Sequence, residues 1–181
     1  MPESAVPRGE VAAMVAVQSA LVDRPGVLTT ARGLSHFGEH SIGWLVVALV
    51  GAVLMPRRRR DWLVAGAGAF AAHAAAVLIK RLVRRERPHH PAVAVNVGTP
   101  SQLSFPSAHA TSTTAAAILM GRATGLPPGI GAAVLVPPMA LSRILLGVHY
   151  PSDVAFGVAL GAAVARLAFW LDRGRDGGVA E

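Results

Sequence analysis

Apolar residues run through this chain in blocks rather than in short alternations. Five blocks come close to the roughly 20 residues an α-helix needs to cross a bilayer. They cover residues 35–55, 61–79, 107–122, 128–146 and 152–171. A shorter apolar stretch, 11–22, lies between Glu10 and Asp23 and ends at the turn Asp23-Arg24-Pro25-Gly26. Its length suits a helix in the interface or packed on the bundle, with a sixth membrane helix as the alternative. No basic segment or cleavage site precedes it, so it does not read as a secretory signal peptide. The pattern predicts an all-α, integral-membrane bundle of five to six transmembrane helices. Three parts are expected: an N-terminal segment 1–34, a transmembrane domain 35–172, and a polar tail 173–181 that frays. There is no internal repeat.

Composition agrees with the pattern. Charged residues make up 15% and hydrophobic ones 52%, with a mean hydropathy of +0.48. A soluble domain carries about 25% charged residues. There is no cysteine, so disulfides and thiolate metal sites are excluded. The net charge of +7 comes with few aromatics and no nucleic-acid recognition motif. Anionic lipid headgroups and a phosphate substrate account for it better, and no nucleic acid or obligate protein partner is expected. Of the 17 basic residues all but one are Arg, and the exception is Lys80. The Arg bias, with abundant Ala and Gly, suits a GC-rich genome.

The polar exceptions gather at helix ends. Lys80 closes the second block and Ser107 opens the third. Arg143 lies near the end of the fourth, and His149 and Asp153 flank the start of the fifth. With antiparallel neighbours all these ends share one membrane surface. The run Arg57–Arg60, with Arg122, Arg173 and Arg175, marks the other surface as cytoplasmic. That places the cluster on the extracytoplasmic face, although Arg81, Arg84 and Arg85 share its side.

The cluster has the parts for phosphoryl chemistry, where catalysis is mostly positioning and electrostatic stabilisation. Lys80, Arg87 and Arg143 supply three cations, and Arg reaches phosphate with two parallel donors. Pro106-Ser107 begins a helix with Ser107 as N-cap, so the N–H groups of Ala108, His109 and Ala110 form an anion site. His109 in that first turn is placed to protonate a leaving oxygen. His149 and Asp153 are four residues apart, and the carboxylate can orient the imidazole. Ser142 either contacts phosphate or bonds to backbone. Arg81, Arg84 and Arg85 read as contacts to lipid phosphates.

The pattern Lys80-x6-Arg87-Pro88, Pro106-Ser107-Ala108-His109 and Ser142-Arg143-x5-His149-x3-Asp153 resembles the type 2 phosphatidic acid phosphatase (PAP2) superfamily, which includes acid phosphatases and vanadium haloperoxidases. The one departure is Ala108, where the family usually has Gly. A first helical turn has negative φ and accepts Ala. The resemblance implies a PAP2-like catalytic domain over 35–172 in a bacterial cytoplasmic membrane. It implies His149 as the nucleophile that forms a phosphohistidine, Asp153 as its orienting acid, and His109 as acid and then base. Lys80, Arg87, Ser107, Arg143 and the Ala108 N–H would hold the phosphate, with Ser142 and Pro88 as further candidates. It implies no metal and no cofactor.

The expected activity is hydrolysis of a lipid phosphate. Phosphatidate, phosphatidylglycerol phosphate and polyprenyl mono- or diphosphates all fit, and a decaprenyl-phosphoryl pentose phosphate is also permitted. The alternatives are a lipid phosphotransferase using the same phosphohistidine, and a non-catalytic anionic-lipid binding or transport protein. The compact scaffold leaves little room for a haloperoxidase's oxidant pocket. His36-Phe37-Gly38-Glu39-His40 matches the zinc-peptidase string H-x-x-E-H but lacks an evident further carboxylate ligand, so interfacial capping or headgroup contact is the expected role. His73 lies one heptad before Lys80, either facing the same cavity or satisfied in the core. His89 and His90 are placed in the loop 88–105, which would cover or select the substrate.

Overall fold

The computed structural model describes residues 6–176, among which seven α-helices form one bundle. They are α1 (Gly9–Leu21), α2 (Val27–Gly38), α3 (Ile42–Leu54), α4 (Arg59–Val83), α5 (Ala108–Thr124), α6 (Ile130–Leu145) and α7 (Pro151–Asp176). The expected polar tail is helical as far as Asp176, and residues 177–181 lie outside the described residues. Among the described residues three stretches are long and apolar enough to cross a membrane: Val27–Leu54, Pro56–Val83 and Pro151–Arg173. α1 and α6 are shorter apolar helices.

The first apolar block, 35–55, turns out to belong to a longer and broken element. The helix begins at Val27, because 27–34 mixes Thr30 and Arg32 with apolar residues and so escapes a hydropathy reading. It then breaks at a single turn of 3-10 helix, Glu39–Ser41, where His40 (φ 49°) and Ser41 (φ 63°) are both left-handed. Such backbone is uncommon for residues other than glycine and gathers at functional sites.

α5 is the central helix. It packs against α3, α4, α6 and α7 and is buried along almost its whole length. This explains its composition: a helix enclosed by protein needs small side chains rather than lipid-facing bulk. Its hydroxyls return to its own backbone, Thr111 Oγ1 to the Ser107 carbonyl and Thr114 Oγ1 to the Ala110 carbonyl, both at 2.8 Å. Trp44 Nε1 donates to Thr113 Oγ1 at 3.2 Å, the one cross-helix bond α5 makes through these hydroxyls among the described residues. Ala65, Ala69, Ala72 and Ala76 of α4 are all fully buried. Small residues let membrane helices approach closely.

The chain reversals fit the expected antiparallel order. The ends of α4 and α6 and the starts of α5 and α7 therefore lie together at one end of the bundle. At the other end Asp172 binds Arg60 at 3.0 Å and Arg122 at 3.1 Å, and Arg122 also approaches Asp61 at 3.5 Å. The short α1 is docked rather than free. Gln18 donates to the carbonyls of Ala94 (2.8 Å) and Leu145 (3.1 Å) and accepts from the Ala94 N–H (3.0 Å).

The α5–α7 contact depends on glycine. A Cβ on Gly161 would run into the Thr111 carbonyl, whereas one on Gly33 meets nothing within 4 Å. Gly161→Val is expected to cost roughly 1–3 kcal/mol, the usual penalty for overpacking. Thermal unfolding in detergent should show it as a lowered midpoint, while Gly33→Ala stays at or above the wild-type value.

Candidate active site

The helix ends surround a cavity of about 820 Å³. Six of the residues assigned to the phosphate site from sequence line it: Lys80, Arg87, Ala108, His109, Arg143 and His149. Each cation is held by neutral acceptors. Lys80 Nζ donates to the carbonyls of Leu103 (2.9 Å) and Ser104 (3.3 Å). Arg87 donates to the carbonyls of Ser101 (2.8 Å) and Val148 (2.6 Å). Arg143, only 1% exposed, reaches Ser35 Oγ through both terminal nitrogens at 3.2 and 3.1 Å, and its Nε has no partner. No carboxylate lies within salt-bridge distance of any of the three among the described residues. The cations are oriented without being neutralised.

Local sequence explains this placement. Arg87 sits where the chain leaves α4 and pairs with the returning loop, through a bridge between Glu86 and Leu103 and a bond from the Arg87 N–H to the Gln102 carbonyl at 3.1 Å. Arg143 and His149 are joined by a tight reversal at Gly147 (φ 71°), where any Cβ would strike the Ala94 carbonyl. Both side chains thus point into the cavity. Asn96 straps the loop down by its N–H to the Leu146 carbonyl and its Nδ2 to the Leu145 carbonyl, each at 3.0 Å.

His149 is buried, with its Nδ1 3.7 Å from Asp153 Oδ2. Its other nitrogen, Nε2, lies 3.4 Å from Arg87 Nη1. Burial, followed by the nearby charges of Arg87, Lys80 and Arg143, pushes the His149 imidazole well below its ordinary value and favours the neutral ring. Burial also pushes Arg87 down to about 10, which leaves it cationic at neutral pH. His109 Nε2 lies 2.9 Å from the Ser35 carbonyl, a contact that requires the proton on Nε2.

Four of the expected residues stand behind this wall. Ser107 caps α5 by accepting from the Ala110 N–H at 3.4 Å and is fully buried, so its hydroxyl supports the helix start rather than lining the cavity. Ser142 donates to the Met139 carbonyl at 2.7 Å, the backbone bond that is one of its two readings. Pro88 is buried outside the lining. Asp153 is fully buried behind His149. Its Oδ2 accepts from the Tyr150 N–H at 2.8 Å and its Oδ1 from Arg85 Nη1 at 2.9 Å.

Arg85 corrects the sequence reading. Far from contacting lipid phosphate, it bridges Asp153 and Glu10, with Glu10 Oε2 at 2.8 Å, and stacks 4.0 Å from the Tyr150 ring centre. Glu10 Oε1 also accepts from the Ser152 N–H at 2.7 Å. No sequence signal pointed to Glu10, Gln18 or Ser35, because their partners lie far along the chain. The H-x-x-E-H string does not gather as a metal site, and no group of three such ligands does so among the described residues. His36 and Glu39 form a loose pair at 3.8 Å. His40 instead faces His73, with ring centres 5.9 Å apart, and both line the cavity. The loop residues 97–101 and Leu103 form a further wall, while His89 stays near Glu86 at 3.9 Å and His90 accepts from the Ala92 N–H.

The model of the PAP2 superfamily matches residues 61–176. The chain is 79% identical over 170 residues to a decaprenylphosphoryl-5-phosphoribose phosphatase of Mycobacterium tuberculosis, covering 94% of each. It is 69% identical over 154 residues to the protein of that name from Mycolicibacterium smegmatis, covering 85% of this chain and 84% of that one. The fold is similar to a crystal structure of a transmembrane PAP2-type phosphatidylglycerolphosphate phosphatase from Bacillus subtilis, with TM-score 0.70, 22% identity, and coverage of 90% and 86%. The chain belongs to the PAP2 superfamily and is an integral-membrane lipid phosphatase.

Because the His149 ring is held neutral, it should remain so at about pH 6.5, where an ordinary imidazole is half protonated. Ring nitrogen shifts of 15N-histidine-labelled protein in detergent, assigned with His149→Gln, check this. A His149 midpoint at or above 6.5 would contradict the environment described.

Proposed function

We propose that this enzyme removes the terminal phosphate of a polyprenyl-phosphoryl pentose phosphate, through a phosphohistidine on His149. The observation that carries the substrate reading is the 79% identity over 94% of both chains to a phosphatase of that substrate class. The cavity supports it, since a membrane-embedded cluster of unneutralised cations fits a phosphate dianion on a lipid.

In this mechanism Lys80, Arg87, Arg143 and the Ala108 N–H hold the phosphoryl oxygens. Asp153 faces Nδ1 of His149, so Nε2 is the attacking atom. The Nε2–phosphorus bond forms as the bond from phosphorus to the pentose oxygen breaks. His109, protonated on both ring nitrogens with its Nε2–H held by the Ser35 carbonyl, gives its Nδ1 proton to the leaving oxygen and becomes neutral. Water then attacks the phosphohistidine, His109 takes its proton, and inorganic phosphate leaves with His149 restored. The three cations carry the developing charge, so the route needs no metal. Arg85 and Glu10 are positioning residues that fix Asp153 from behind. Residues 35–172 are read as the catalytic domain, with 1–34 bracing it.

The site is read as extracytoplasmic, in a bacterial cytoplasmic membrane. Arg57–Arg60 and Arg122 lie at the opposite end, and Lys80, Arg87, Arg143 and Arg85 are engaged within the protein rather than with the inner leaflet. The chain has no cysteine, so a single Gly98→Cys, at an open loop position, reports the face directly. Labelling of intact spheroplasts by an impermeant maleimide is expected, and labelling only after lysis would reverse the topology.

Purified enzyme with excess chelator should release phosphate from the lipid-linked pentose phosphate. His149→Ala should abolish release, and Asp153→Asn should lower kcat by about 10²–10⁴-fold. Release that needs a divalent ion, or that survives His149→Ala, would sink the mechanism. Transfer of phosphate to an added alcohol in place of release would favour the phosphotransferase reading.

A further inference from the structure

The face of α4 that borders the cavity carries more than the phosphate cluster uses. Phe70, Ala74, Val77, Leu78 and Arg81 all line the cavity. Their spacing puts them on one stripe of the helix, about 16 Å long at 1.5 Å per residue. Phe70 is 56% and Leu78 61% exposed, so the stripe presents open apolar surface. Arg81 closes it at the end nearest the cluster.

Arg81 differs from its neighbours. Lys80 is buried and bonded to two carbonyls. Arg85 is committed to Glu10 and Asp153. Arg84 is exposed but does not border the cavity. Arg81 borders the cavity, is exposed, and has no hydrogen bond or ion pair with any described residue. Lys80 and Arg81 are about 100° apart around the helix. One addresses the cluster and the other the exposed apolar stripe.

We propose that Arg81 and the apolar stripe form a second subsite, which takes the phosphodiester and the first isoprene units of the substrate's lipid arm. The proposal rests on the substrate reading above. A polyprenyl-phosphoryl pentose 5-phosphate carries two different phosphates: a monoester that is hydrolysed and a diester that is retained. With the monoester on Lys80, Arg87 and Arg143, the pentose lies across the cavity and the diester leaves by the side open to the bilayer. An unpaired anion at that depth is costly. Arg81 gives it a partner, and Leu78, Val77, Ala74 and Phe70 continue as a track for the chain.

The competing account of Arg81 is the general attraction of a surface cation to anionic headgroups. Arg84→Gln removes the same charge from the same helix end without touching the cavity, so it separates the two. The experiment uses full-length enzyme in zwitterionic vesicles, with two substrates. One is a polyprenyl-phosphoryl pentose 5-phosphate, and the other is dioctanoyl phosphatidate, a lipid monoester without a phosphodiester. Arg81→Gln is expected to raise KM for the first about tenfold, the loss of one charge-assisted contact, with kcat within about twofold. Its kcat/KM for phosphatidate should match wild type, and Arg84→Gln should match wild type on both.

Equal losses on both substrates, an equal effect of Arg84→Gln, or no effect of Arg81→Gln on the pentose lipid would each overturn the subsite while leaving the substrate reading intact. Failure of the wild-type enzyme to turn over the pentose lipid, with phosphatidate hydrolysed, would overturn the substrate reading and the subsite with it.

Discussion

The structure depends on keeping three cations together without a counter-ion. Lys80, Arg87 and Arg143 converge on one cavity, and their mutual repulsion grows as water is excluded. A carboxylate among them would relieve it and would also fill the place of the substrate. The protein uses neutral acceptors instead: the carbonyls of Ser101, Leu103, Ser104 and Val148, and the hydroxyl of Ser35. These fix direction and leave charge available. Much of the surrounding architecture can be read as the means of bringing those acceptors into place. The loop returning after α4, the Gly147 reversal and the C-terminal turn of α2 each deliver one or more of them.

The same constraint explains where the nearest carboxylate lies. Asp153 is set behind His149 and is tied to Arg85 and the Tyr150 N–H, so it borders the site without entering it. Arg85 in turn is balanced by Glu10. A buried charge left without its partner is strongly destabilising, and this alternation of signs from Glu10 through Arg85 to Asp153 avoids that. α1 is too short to cross a bilayer on its own, yet it supplies the outer member of the series. Its other polar anchor, Gln18, binds the backbone of the loop and of α6. The N-terminal helix is thereby fastened to both sides of the site.

Much of this was legible in the sequence. The spacing of Lys80, Arg87, His109, Arg143, His149 and Asp153 at the ends of apolar blocks located the cluster, because antiparallel helices bring alternate ends together. Hydropathy also gave α4, α6 and α7 within a few residues. It failed where local composition misleads. The start of α2 is mixed in polarity, and the break at His40-Ser41 has no proline to announce it. Long-range polar contacts were beyond reach for a different reason. Glu10 with Arg85, Gln18 with Ala94 and Ser35 with Arg143 are set by tertiary packing, and no periodicity records them. For Ser107, an N-cap and phosphate candidate, and Ser142, open between phosphate and backbone, the sequence does not record which way the short hydroxyl turns, because neighbouring backbone groups decide it.

The exposed stripe on α4 changes what concentration means for this enzyme. On the subsite proposed above, the cavity is filled sideways along this stripe, from within the leaflet, without the lipid passing through water. The quantity that governs occupancy is then the mole fraction of substrate among its neighbouring lipids, a two-dimensional density. Adding more membrane at a constant amount of substrate dilutes it as effectively as adding solvent would for a soluble enzyme. The abundance and identity of the bystander lipids thus become part of the enzyme's kinetics.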